Sequence, residues 1–176
     1  MVRFDPAPPQ VKHYILLATV LSCLTILTSS PTVGPRSLII NLTASVPLGL
    51  YIRSRGQPKI GQMVLIRLPT SLRDFAAQRG YLPFGWLLIK SVTAGPGDVI
   101  CRLASRVWIR GHSEVWALRV DGLGRPLPKW SGCQRLEASE LFVLGTHSGS
   151  FDGRYFGPIN RQSVVAVVRP ILVFGR

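Results

Sequence analysis

The sequence predicts a mainly β domain, a sandwich or open barrel, preceded by one N-terminal membrane helix. Three observations carry this prediction. Residues 13–30 form an apolar stretch behind Arg3 and Lys12. After Pro31 and Pro35 the chain consists of short runs rich in Val, Ile, Leu and Trp, separated by Gly, Pro and Asp. A single segment, from Thr70 to Gly80, carries a helical pattern instead. At 176 residues the chain suits one domain with its own core, and its 47% apolar and 16% charged residues exclude disorder. Lys and Arg number 21 against 8 Asp and Glu, a net charge of +13 that implies acidic partners. No zinc-finger spacing, RNP-like aromatic motif or long basic run accompanies it, so specific nucleic-acid recognition is not expected.

The first element is the apolar stretch. From Tyr14 to Ser30 it would make about 26 Å of helix at ~1.5 Å per residue, slightly short of a ~30 Å hydrocarbon core. Lys12 and His13 can snorkel to cover the difference, and Pro31 stops the helix. The preceding cations keep residues 1–12 in the cytoplasm and send residues 31–176 to the far side. A retained anchor over 13–30 and a signal peptide cut near Thr28–Ser30 are both compatible with the length; Pro31, awkward just after a cleavage point, favours the anchor. The domain is then expected at the periplasmic face of the inner membrane, or in the periplasm if cleavage occurs.

The strand runs follow: Met63 to Leu68, Leu87 to Val92, Val99 to Leu103, Val107 to Arg110, Val115 to Val120, Leu141 to Leu144 and Ser163 to Val168. Regular short strands with such turns make a sandwich or barrel. In the helix, Thr70 or Ser71 can cap, Leu72, Phe75 and Ala76 form the apolar face, and Gly80 ends it. The Pro/Gly-rich stretch from Gly122 to Gly132 reads as an ordered excursion held near Trp130 and Cys133. The four tryptophans, Trp86, Trp108, Trp116 and Trp130, suit a membrane interface, but core packing is favoured for at least two of them.

An exported domain gives its cysteines meaning. Cys101 and Cys133 can form a disulfide in an oxidising compartment, the alternative being two buried thiols; Cys23 in the apolar stretch reads as filler. Three His and no CxxC offer no metal-ligand pattern, and no cofactor is expected.

Lys90 stands on a strand with Leu88 and Val92 on its face. It is either an edge residue reaching water or a desolvated amine. A neutral amine there can take a proton from a serine hydroxyl, which requires about 4.6 kcal/mol to bring its pKa from ~10.4 to near 7. Ser45 sits in "TASVPLGLY", two residues before Pro47, on a turn that is either ordinary Ser/Pro/Gly punctuation or the mount of a nucleophile. The loop "VLGTHSGSFDGRYFG" gathers Thr146, His147, Ser148, Ser150, Asp152 and Arg154; its bland reading is a polar turn with a surface Asp152–Arg154 pair.

Three blocks in order, "TASVPLGLY", "LIKSVTAGPGD" and "GSFDGRYFG", resemble the serine, lysine and aspartate boxes of the bacterial type I signal peptidase family. They look most like its conjugative-transfer branch, the TraF-type pilin-processing peptidases, as do "GRPLPKW" followed by Gly-Cys and "AAQRGYLP". The resemblance implies Ser45 as nucleophile and Lys90 as general base. It implies Asp152 as the supporting carboxylate paired with Arg154, and Ser150 as the hydroxyl that orients the amine. Thr43 would join the Ser45 backbone N–H as oxyanion donor, with Pro47 and Gly49 holding the turn. Ser91 and Gly145-Thr146-His147 replace the Arg and the Gly-Asp-Asn of housekeeping members, which fits the specialised branch. The implied substrate is an exported protein, a pilin precursor, cleaved beside inner-membrane lipid and in that branch cyclised. A Ser45–His147–Asp152 triad is the rival mechanism. The rival functions are a non-catalytic basic docking module of the envelope and, on charge alone, a DNA-handling protein.

Overall fold

The computed structural model describes residues 13–14, 17–20, 38–109, 111 and 114–174. The chain divides into two compact units, residues 1–38 and 39–176. In the first, residues 13–14 and 17–20 are helical. Among the described residues no helix is long and apolar enough to cross a membrane. Residues 1–12 and most of the segment 13–30, with Cys23 and the Thr28–Ser30 cleavage alternative, lie outside the described residues.

The second unit is mainly β. Its strands are β1 (Leu38–Asn41, beginning at the boundary), β2 (Gly49–Ser54), β3 (Met63–Ile66), β4 (Leu88–Ala94), β5 (Val99–Leu103), β6 (Arg106–Ile109), β7 (Glu114–Trp116), β8 (Gly132–Arg135), β9 (Glu140–Leu144), β10 (Ile159–Asn160) and β11 (Val164–Val173). Among the described residues two short α-helices, α1 (Thr70–Gln78) and α2 (Gly153–Phe156), and one 3₁₀ turn (Arg161–Ser163) interrupt them. The larger sheet runs β1-β2-β11-β3-β4-β9-β10 and the smaller β7-β6-β5-β8.

Alternation along the strands gives the larger sheet two apolar faces. On one face, Val64, Ile66 and Val92 join Ile100, Val107 and Ile109 of the smaller sheet in the main core. On the other face, Leu65, Ile89 and Val168 pack with Tyr51 and Val46. Val46 immediately follows Ser45, so this second cluster seats the turn that carries the serine.

Two sequence details shape the larger sheet. The β4–β9 register shifts between Val92 and Ala94, and Thr93 Oγ1 donates to Phe142 O (3.1 Å) across the irregularity. Gly49 opens β2 where a Cβ would lie 2.1 Å from Leu172 O, so the β2–β11 approach excludes any side chain.

The sequence missed β1, β2, β8 and the two-residue β10; β8 is exposed throughout and recruited by its pairing with β5. The run Val115 to Val120 yields only three strand residues from Glu114, because Leu118 N leaves the ladder and donates to Tyr155 OH (3.1 Å). Neither Thr70 nor Ser71 caps α1: Pro69 precedes it without a side-chain cap, and Thr70 Oγ1 accepts from Arg73 instead. Ala76 is buried, Leu72 and Phe75 pack on the core, and Gly80 follows the helix at φ +72°. Trp130 packs against the core and Trp108 is half-buried, while Trp86 and Trp116 are exposed.

Cys101 on β5 stands opposite Cys133 on β8, and the two are joined by a disulfide. Replacing both by Ala should lower stability by roughly 3–4 kcal/mol through a freer unfolded chain. Denaturant unfolding of oxidised wild type against the double variant measures this.

Candidate active site

The turn between β1 and β2 is built around one buried amide. Asn41 Nδ2 donates to the carbonyls of Thr43 (2.9 Å), Val46 (3.1 Å) and Pro47 (3.0 Å). Its Oδ1 accepts from Thr43 N (3.3 Å) and Thr43 Oγ1 (3.0 Å). Buried Tyr51 adds a hydroxyl bond to Pro47 O (2.5 Å). Asparagine side chains imitate backbone in tight turns, and here one of them templates residues 41–47. Ser45 emerges half-buried from this frame. Asn41→Asp would put carboxylate oxygen against three carbonyls; we expect peptide turnover to fall at least tenfold, with Asn41→Gln no better, since one more methylene displaces every contact.

A second loop closes on the turn. Ser45 O accepts from Thr146 N (2.8 Å) and Thr146 Oγ1 (3.3 Å). Gly145 permits the approach: a Cβ there would stand 2.2 Å from Ser150 Oγ and 2.8 Å from Ser45 O.

Lys90 lies in the middle of β4, opposite Val64, with no exposed surface. Its Nζ donates to Ser150 Oγ (2.5 Å), and Ser150 Oγ donates to Ser45 Oγ (3.3 Å). Ser150 thus stands between the amine and the serine. Burial lowers the Lys90 pKa to about 8; the Asp152 charge raises it in part, and Arg154 lowers it again.

Asp152 and Arg154 are not the surface pair of the bland reading. Both are buried, joined at 2.6 Å and 2.9 Å. Asp152 also accepts from Gly145 N (2.7 Å) and caps α2 through Arg154 N (3.1 Å). The Arg154 guanidinium donates onward to the carbonyls of Ser148 (3.0 Å), His147 (2.8 Å) and Gly145 (3.3 Å). Burial acts against its charge, yet the Asp152 bond wins and raises its pKa. The pair therefore staples the 145–150 loop on which Ser150 rides. Arg102, from β5, donates to Arg154 O and extends the staple to the smaller sheet.

His147 is exposed, and its Nδ1 accepts from Gly149 N (3.0 Å). Thr43 lines the same cleft as Ser45, with its hydroxyl donating to Asn41. That cleft holds about 320 Å³, and Leu82, Leu88, Leu118, Leu127, Phe151 and Tyr155 make it mostly apolar. At one end Asp121 accepts from Tyr81 OH (2.6 Å) and Arg125 Nε (2.7 Å). Among the described residues no group of three or more His, Cys, Asp and Glu could hold a metal ion.

The structure thus gathers Ser45, Lys90 and the 150–154 segment with Ser150, Asp152 and Arg154, three stretches far apart in sequence, into one hydrogen-bonded assembly. Sequence reasoning missed Asn41, Tyr51 and Arg102, and named Thr146 in its loop without foreseeing its bond to Ser45 O. Only Asn41 left a signal, a turn-forming amide just before the serine-bearing segment. Such an assembly can move a proton from a hydroxyl to a buried amine.

Residues 11–173 match the family described as signal peptidase, peptidase S26. A plasmid transfer protein TraF of Escherichia coli is 34% identical over 148 residues, 77% of this chain and 82% of that protein. A probable conjugal transfer protein TraF of Sinorhizobium fredii (strain NBRC 101917 / NGR234) is 37% identical over 147 residues, 77% of each chain. A solved signal peptidase I of Enterococcus faecalis V583 superposes loosely, with a TM-score of 0.37 and 18% identity over 65% of this chain and 98% of that one.

Proposed function

Because this chain belongs to the signal peptidase family, peptidase S26, we propose that it is a serine endopeptidase built on a Ser45–Lys90 dyad. The observation that carries the reading is the buried Lys90 amine, 2.5 Å from Ser150 Oγ, which itself lies 3.3 Å from Ser45 Oγ. With a pKa of about 8, roughly a tenth of the amine is neutral at pH 7, against about one in 3,000 for an ordinary lysine. With the amine neutral the two hydrogen bonds run the other way, Ser45 donating to Ser150 and Ser150 to the amine, so the Ser45 proton is drawn through the Ser150 hydroxyl as Ser45 Oγ attacks the scissile carbonyl. The resulting ammonium returns that proton to the leaving amine. The Ser45 N–H faces the developing oxyanion, and Thr43 joins it by turning its hydroxyl from Asn41 into the cleft. Asp152 and Arg154 hold the loop that positions Ser150.

A Ser45–His147–Asp152 triad fits less well. A triad needs the Nδ1–H donated to the carboxylate, whereas His147 Nδ1 accepts a backbone N–H and Asp152 is engaged by Arg154 and Gly145.

The relatives named for plasmid and conjugal transfer support a substrate that belongs to a conjugation apparatus, an exported propilin processed at the periplasmic face of the inner membrane. The test is mass spectrometry of the pilin of the same transfer system, produced with the intact protein or with Ser45→Ala. A Ser45-dependent loss of a peptide is expected. A product lighter by one further water marks ring closure by the substrate's own amine; otherwise water resolves the acyl-enzyme. An unprocessed pilin in both samples would exclude this substrate. Failure of a penem inhibitor to add to Ser45 would exclude the reactive serine itself.

A further inference from the structure

The wall of the cleft has a second side. Leu118 and Leu127 line the cleft beside Ser45, and they also line a neighbouring concavity of about 590 Å³. Three cations line this second space, Arg102, Arg119 and Lys129, and no acidic residue does. The remaining polar side chain in its lining is Ser105.

No carboxylate neutralises the charge there; among the described residues four other arginines do meet one. Arg79 and Arg125 meet Asp121, Arg106 meets Glu114, and Arg154 meets Asp152. Arg102 is 5% exposed, yet it hydrogen-bonds only the carbonyls of Ala104 and Arg154 among the described residues. Burial without a carboxylate lowers its pKa. Arg119 and Lys129 are exposed and form no ion pair among the described residues. A buried cation without a counter-ion, flanked by two free ones, is a place where an anion relieves repulsion and gains charge-assisted bonds.

We propose that this basic pocket receives a carboxylate of the substrate polypeptide, on a residue lying a few positions from the scissile bond. The two spaces share the side chains of Leu118 and Leu127, so an extended chain, at about 3.3 Å per residue, reaches from one to the other within a few residues. The proposal names the substrate class for the dyad described above and rests on that reading. Leu118 and Leu127 then grip the apolar part of the chain, and Arg102, Arg119 and Lys129 select its acidic group. Arg102 also touches Arg154, so the pocket adjoins the staple that holds Ser150.

The experiment uses the full chain in detergent micelles and internally quenched peptides made in pairs, Asp against Asn, at each position flanking the cleaved bond. The expected result is one position at which Asp raises kcat/KM by about tenfold, the effect of one charge-assisted contact. In the double variant Arg119→Gln/Lys129→Gln the Asp/Asn ratio should fall towards one. Binding of the same pairs to Ser45→Ala, with and without those two changes and followed by fluorescence anisotropy, gives the same comparison without turnover. Equal binding and equal cleavage of Asp and Asn peptides at every position would overturn the proposal. So would an unchanged ratio in the double variant. If the double variant instead loses affinity for phosphatidylglycerol vesicles while the peptide ratio stays unchanged, the pocket serves lipid head groups and the proposal fails. Absence of any Ser45-dependent cleavage, with the Asp preference in binding intact, would sink the peptidase reading alone.

Discussion

Lys90→Met is expected to leave a folded domain with peptide turnover reduced by about 10²–10⁴, the usual contribution of a positioned general base. The same change should not cost stability. A folded-state pKa of about 8, below the unfolded value, means that protonated Lys90 opposes folding. That penalty is fully present below pH 8, shrinks as pH rises towards the unfolded pKa, and vanishes above it. Replacement by an apolar side chain of similar length removes it, so thermal melting at pH 7 should be unchanged or raised. In the wild type, kcat/KM should climb about tenfold per pH unit below 8 and level off above, as the neutral amine accumulates. Circular dichroism melts and a pH–rate profile read both effects. A Lys90→Met protein that cleaves at the wild-type rate, or a profile flat from pH 6 to 9, would remove the amine from the mechanism.

The second large effect is expected at the staple. Asp152→Asn leaves the Arg154 guanidinium buried opposite a neutral amide. Breaking a buried pair from one side typically costs about 3–5 kcal/mol. The loss is structural first, seen as an earlier unfolding midpoint, and catalytic second, because Ser150 rides on the loop that Arg154 holds. A further sign separates the two roles. The Asp152 charge raises the Lys90 pKa, so whatever activity remains in Asp152→Asn should rise at lower pH than in the wild type. Replacing both Asp152 and Arg154 by apolar residues should recover part of the stability but not the activity. A variant as stable as wild type after the single change would show that the pair holds nothing.

Some of this was legible in the chain. Lys90 between Leu88 and Val92 announced a costly position because strand periodicity forces it onto the face those residues share. Ser45, Ser150 and Asp152 were singled out only because their short boxes resemble those of a known family; their local chemistry alone reads as polar turns. Their surroundings were not legible. Arg154 looked like the partner of a surface pair, since nothing in "SFDGRYF" reveals that the segment turns inward as α2 against β9. The contributions of Asn41, Tyr51 and Arg102 depend on carbonyls brought to them by turns and by other strands, and carbonyls carry no sequence signature. Strand β8 was invisible for the same reason: it is polar and exposed, and pairing rather than composition makes it a strand.

By itself, then, the sequence determined the β-rich character of residues 38–174 and the strand face that Lys90 shares with Leu88 and Val92, because these follow from local periodicity; the candidate roles of Ser45, Lys90 and Asp152 came from the resemblance of three boxes to a known family. The tertiary structure alone decided that Ser150 stands between the amine and the serine, that Asp152 and Arg154 are a buried staple, and that two concavities share the wall of Leu118 and Leu127. Those relations join residues up to 105 positions apart. They exist only once the sheets have closed on their common core, where removal of water gives the charges their direction and strength.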